Sequence, residues 1–102
     1  MNFERIPKEY TIKRSTAFFT PETVPSALLS MHNTARGVYG QICVMNGTLT
    51  YYGFAGKESS EPEIIRTVEA GSFTTTPPQY WHRVELSEDA CFNINFWSEP
   101  KL

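Results

Sequence analysis

His32 and His82 are the only two histidines in the chain, and they are its best candidates for metal chemistry. Neutral imidazole suits zinc, nickel, iron and copper. Zinc asks for three or four protein donors, or three and a water, so this pair falls one donor short. Glu85 lies three residues beyond His82, and on a strand that spacing sends it to the opposite face. There it has Arg83, or Arg36, as an ionic partner. Cys43, Cys91, Tyr39 and Gln41 become donors only if the strand alternation runs the other way. The competing role for His82 is structural, as a hydrogen-bonded core histidine beside Tyr80 and Trp81, with His32 at a strand end. Arg36 and Arg83 carry the planar donor fork that fits a small oxyanion, although solvated surface arginines are the commoner case. Tyr39 and Trp81 offer apolar bodies with polar tips at a pocket mouth.

Strands must position these groups. No window of eleven residues keeps a helical period, and short apolar runs recur between turns, which predicts an all-β sandwich or barrel of seven or eight strands. Residues 1–25, with Pro7, Pro21 and Pro25, read as an N-terminal arm, with extended pieces at Tyr10–Arg14 and Thr16–Thr20. Such an arm covers a sheet edge or reaches across a dimer. Residues 26–98 form the barrel core and 99–102 a tail, all in one domain. The predicted strands are Ala27–His32, Val38–Met45, Thr48–Phe54, Glu63–Glu69, Trp81–Leu86 and Cys91–Trp97. Asn46-Gly47 is a strong hairpin signal, and Ser87-Glu88-Asp89 reads as the turn of a last hairpin. Alternation sends His82, Val84 and Leu86 inward, with Phe92, Ile94 and Phe96 facing them. Val38, Gly40, Ile42 and Val44 also look inward, and Gln41 and Cys43 outward. Most of the aromatic residues, Tyr51, Phe54, Phe92 and Phe96 among them, are core by default.

A chain of 102 residues, 40% of them hydrophobic, fills one core. The net charge of −2 and the lack of a basic stripe argue against nucleic-acid binding. No run reaches the roughly twenty apolar residues of a spanning helix, and the N-terminus lacks the apolar stretch of a signal peptide. The expectation is a cytoplasmic protein with reduced thiols at Cys43 and Cys91.

The segment from Gly71 to Glu85 carries the most specific spacing. Gly71 supplies a positive φ, Pro77 and Pro78 stop ladder pairing, and the chain re-enters a strand at His82. Gly71, five residues, Pro77, four residues and His82 resemble the second motif of the cupin superfamily, small double-sheet barrels whose histidine at this place points inward and often binds metal. Gln79 stands where that pattern has a second glycine, and Leu86 where it usually has asparagine. The first cupin motif, two histidines and a glutamate before a glycine turn, is degenerate: with Gly47 as the closing glycine, Gly40 takes the glutamate's place. Thr34 and Arg36, or Asn33 and Ala35, take those of the histidines.

Over roughly residues 10 to 98 the likeness is narrower. His32-Asn33-Thr34, Gly37-Val38-Tyr39-Gly40-Gln41, Val44-Met45-Asn46-Gly47-Thr48-Leu49 and Pro78-Gln79-Tyr80-Trp81-His82-Arg83-Val84-Glu85 resemble the cupin-like domain at the N-terminus of tellurite-resistance TehB proteins and in stand-alone YeaR-like proteins. The resemblance implies a cupin-like double-stranded β-helix, that is, a small jelly-roll barrel, working as a homodimer in a stress response. In fused members a methyltransferase domain follows. This chain ends at Leu102 and shows no glycine-rich nucleotide loop, so methyl transfer is not expected of it. The expected function is a module that binds a metal (zinc, nickel or iron) at His32 and His82, a small anionic ligand at Arg36, Tyr39, Trp81 and Arg83, or both, without turnover. A metal-dependent oxygenase or isomerase and a metal-free dimerisation module are the alternatives. A facial-triad oxygenase needs a carboxylate beside two histidines, and none falls at the expected place.

Overall fold

The computed structural model describes residues 5–100. Its seven strands are β1 (Thr11–Ser15), β2 (Tyr39–Asn46), β3 (Thr48–Phe54), β4 (Ile64–Glu69), β5 (Phe73–Thr76), β6 (Trp81–Leu86) and β7 (Cys91–Ser98). They form two antiparallel sheets, one in the order β1-β7-β2-β5 and one in the order β4-β3-β6. No helix among the described residues is long and apolar enough to cross a membrane.

The inward faces follow the predicted alternation. Ile42 and Val44 of β2, Leu49 and Tyr51 of β3, Val84 of β6, and Phe92 and Ile94 of β7 make one core with Ile64 and Val68. Leu86 and Phe96 are partly buried against it. Burying a side chain of this size contributes about 1.5–3 kcal/mol, so the strands cohere through what lies between the sheets.

Three sequence expectations need correction. Ala27–His32 is not a strand: Ser26–Leu29 forms a 3₁₀ turn, closed by Leu28 N–H donating to Pro25 O at 3.0 Å. The run Ser-Ala-Leu-Leu has no β-branched residue, and Pro25 sets a turn-compatible φ of −61°. Of that stretch only His32 pairs, in an isolated antiparallel bridge to His82. Nor is Asn46-Gly47 a hairpin turn, because β2 and β3 belong to different sheets. Gly47 (φ +65°) seats the chain so closely on the 87–90 turn that a Cβ there would lie 2.5 Å from Asp89 Oδ1. The same holds for Ser87-Glu88-Asp89, since β6 and β7 also lie in different sheets. These two crossover corners fasten to each other: Asn46 Nδ2 donates to Asp89 O at 2.9 Å and Thr48 N–H to Ser87 Oγ at 2.9 Å. Turn chemistry gives the bend. Which sheet the next strand joins depends on distant partners.

The N-terminal arm covers an edge of its own chain, β1 pairing with β7. Its register shifts between Ile12 and Arg14, and such an irregularity re-aims neighbouring side chains.

From β5 the chain crosses to β6 through Pro77-Pro78. Gln79 is the single non-glycine residue with positive φ among those described, at +59°, and it occupies the place of the cupin pattern's second glycine. A left-handed conformation costs an L-residue roughly 1 kcal/mol. Gln79→Gly is therefore expected to leave stability unchanged or raise it by up to about 1 kcal/mol, despite glycine's greater unfolded entropy. Urea unfolding checks this. A clear loss would mean that the Gln79 side chain contributes more than its backbone strain costs.

Candidate functional site

His82 enters the core as the parity of β6 requires and is 3% exposed. Its Nδ1 lies 2.7 Å from Tyr80 O. A carbonyl can only accept, so Nδ1 carries the proton and Nε2 keeps its lone pair. Thr76 Oγ1, at 3.2 Å from the same nitrogen, itself accepts from Tyr51 O–H at 2.7 Å. The Tyr51 ring stacks on the imidazole, centroids 5.4 Å apart. Tyr80 is fixed in turn: its hydroxyl donates to Glu63 Oε2 at 2.6 Å. Its ring crosses Gly53 so closely that a Cβ there would be 2.6 Å from Cε2.

His32 meets His82 through a two-way backbone bridge, His32 N–H to His82 O at 3.0 Å and His82 N–H to His32 O at 2.9 Å. The two rings stand edge to face, centroids 4.2 Å apart. His32 Nδ1 is 2.8 Å from Ser30 O, which fixes the same tautomer. Burial, and then the neighbouring His32, lower the pKa of His82 to about 4. At neutral pH it is therefore an uncharged donor of a lone pair.

Both histidines border a cavity of about 460 Å³ between the sheets. Apolar side chains form much of its wall, with Thr34 and Thr76 beside the histidines and Lys13 and Arg14 of β1 also bordering it. Gly40 lines it at the place of the cupin glutamate. A Cβ at Gly40 would lie 2.8 Å from Thr76 Cγ2, so the room a carboxylate side chain needs is filled by the Thr76–Tyr51 support of His82. Among the described residues no group of three His, Cys, Asp or Glu side chains is placed to hold a metal ion.

Of the expected site residues, His32 and His82 are brought together, and four others lie outside the cavity lining. Arg36 is exposed in the turn before β2. Tyr39 alternates with the cavity residues Val38 and Gly40 and is covered by the Tyr10 ring at 5.7 Å. Trp81 and Arg83 flank His82 and so fall on the other face of β6. The Trp81 ring has Lys57 Nζ 5.5 Å from its centroid. Arg83 pairs with Glu85 at 3.3 Å and lies 4.2 Å from the Tyr52 ring centroid. Gln41 and Cys43, the conditional donors, are on the outer face, where Asn95 Nδ2 donates to Gln41 Oε1 at 3.1 Å. Sequence reasoning missed Thr76, Lys13 and Arg14. Thr76, directly before Pro77, shares the inward parity of Thr74. For Lys13 and Arg14 the sequence holds no signal, because adjacent residues of a regular strand face opposite ways.

Residues 14–94 match the TehB-like domain family. The uncharacterised protein YeaR of Escherichia coli K12 is 37% identical over 102 residues, covering 96% of this chain and 86% of its own length. TehB of Haemophilus influenzae, described as a probable S-adenosyl-L-methionine-dependent methyltransferase, is 32% identical over 84 residues, which are 81% of this chain and 29% of TehB. A crystal structure of a protein from E. coli K12 superimposes with a TM-score of 0.93 at 36% identity, covering 97% of this chain and 100% of the other. The crystal structure of H. influenzae TehB gives 0.81 at 26% identity, covering 90% of this chain and 32% of TehB.

Proposed function

This chain belongs to the TehB-like domain family, and we propose that it acts as a binding module in which His32 and His82 hold a divalent transition metal at the cavity wall. The observation that carries this reading is the matched pair of imidazoles. Each has its Nδ1 against a backbone carbonyl, which leaves Nε2 as the ring nitrogen available to a metal, and both border one cavity. Anchoring of the distal ring nitrogen is the usual support of a metal-ligating histidine. Zinc, nickel and iron all accept imidazole, and water or a bound small anion would supply the remaining ligands. The donor set suits an open site and not a closed structural one, which needs four protein donors.

Binding without turnover is the better-supported activity, because the carboxylate of a facial triad has neither a residue nor room at Gly40. The strand order, with β2, β4, β5 and β6 each followed by a strand of the other sheet, supports a cupin-like double-stranded β-helix as the finer architecture. A part in tellurite or related stress is proposed on the family likeness alone. Methyl transfer belongs to the description of TehB, of which this chain spans under a third.

Calorimetric titration of untagged protein with zinc, nickel and ferrous iron tests the site. One of these ions is expected to bind at about one per chain, with uptake falling to background in His32→Gln and His82→Gln. Arg36→Ala, away from the cavity, should bind as the parent does. Equal uptake by the parent and both folded histidine variants would remove the metal reading.

A further inference from the structure

The cavity's wall and its charges face different tasks. Leu28, Ile42, Val84, Phe92, Ile94 and Phe96 give it an extended apolar surface. Among the described residues its charged lining residues are Lys13 and Arg14, and no aspartate or glutamate borders it. Neither cation is ion-paired with a carboxylate among the described residues. Arg14 is held with its guanidinium carbon 4.7 Å from the Phe96 ring centroid, at the junction of the apolar wall and the charged end. The register shift in β1 between Ile12 and Arg14 accounts for two consecutive cations bordering the same space.

We infer that this cavity takes an apolar molecule bearing a single carboxylate, its body against the sheet-lined wall and its head at Lys13 and Arg14. A volume of about 460 Å³ lies within the range of small-molecule sites. It is too large and too apolar for an inorganic oxyanion, which would leave the wall wet and unused. Orientation follows from charge. A guanidinium binds a carboxylate through paired charge-assisted hydrogen bonds, and Lys13 beside Arg14 adds a second positive charge at the same part of the lining. The inference rests on the binding-module reading but not on the metal, and it names the ligand class of that cavity.

Octanoate, 1-octanol and tellurite are the probes, titrated calorimetrically into the full chain in the presence of a chelator. Octanoate is expected to bind, 1-octanol to bind about tenfold more weakly, and tellurite neither to bind in the cavity nor to displace octanoate. In the double variant Lys13→Met/Arg14→Gln, octanoate should fall to the affinity of octanol, about a tenfold loss. These positions are exposed on an edge strand, so the fold is expected to survive. Ala35→Trp, at an exposed lining position, should block both organic probes. Equal affinity for octanoate and octanol in the parent, no octanoate binding, or displacement by tellurite would each overturn the inference. Because no metal is present, failure of the histidine site leaves these outcomes untouched, and the metal titration is likewise independent of them.

Discussion

Lowering the pH from about 7 to about 4 is expected to remove about 3 kcal/mol of folding stability from the metal-free protein through His82 alone. The folded pKa, about 4, lies below the model-peptide value of 6.5. Between those values the unfolded chain binds a proton that the folded chain refuses. The contribution is therefore complete above pH 6.5 and is lost progressively as the pH falls toward 4. Two causes reinforce each other: burial strips water from a cation, and a second imidazole at 4.2 Å repels it. Carboxylates titrate in the same range, so the informative quantity is a difference of profiles. In His82→Gln the parent's slope between pH 6.5 and 4 should flatten by the same amount, whatever the variant's stability at neutral pH. Parallel denaturation profiles for parent and variant would mean that His82 is not held neutral by the fold.

The second large effect concerns Gly40. Gly40→Ala is expected to destabilise the protein by about 1–3 kcal/mol, the usual cost of forcing a methyl group into a filled site. The new Cβ would stand 2.8 Å from Thr76 Cγ2, and Thr76 cannot move freely because its hydroxyl accepts from Tyr51 at 2.7 Å. Removing the opposing methyl should relieve the strain. Thr76→Ser keeps the hydroxyl and by itself costs about 1 kcal/mol for the lost methyl. The double variant Gly40→Ala/Thr76→Ser should be more stable than the sum of the single changes by about 1 kcal/mol or more. Urea unfolding of the four proteins measures the coupling. Additivity within about 0.3 kcal/mol would show that Gly40 is open space, and with it would go the reason given for the missing carboxylate.

Both expectations start from features half visible in the chain. The inward set of His82, Val84, Phe92, Ile94, Ile42 and Val44 is legible from alternation, because side chains on a strand have a period of two whatever the partner strand. Glu85 pairing with Arg83 on the outer face follows from the same rule. The bend at Pro77-Pro78 and the entry of His82 just after it are equally local, fixed by proline's φ and its missing donor. Arg83 and Trp81 are candidates by side-chain chemistry, a guanidinium fork and an amphipathic ring, and the same alternation turns them away from His82.

What the chain by itself determined is therefore which residues face inward and where the backbone turns, since both follow from covalent geometry and neighbouring residues. Tertiary structure alone decided that the turns at Gly47 and Ser87–Asp89 carry the chain from one sheet to the other. It also decided that His32, alone of its apparent strand, pairs with β6, that Thr76 occupies the space beside Gly40, and that a β1 irregularity brings two cations to the cavity. Each of these joins residues far apart in sequence. Their cost or gain arises only when two distant segments meet, and no local pattern encodes it.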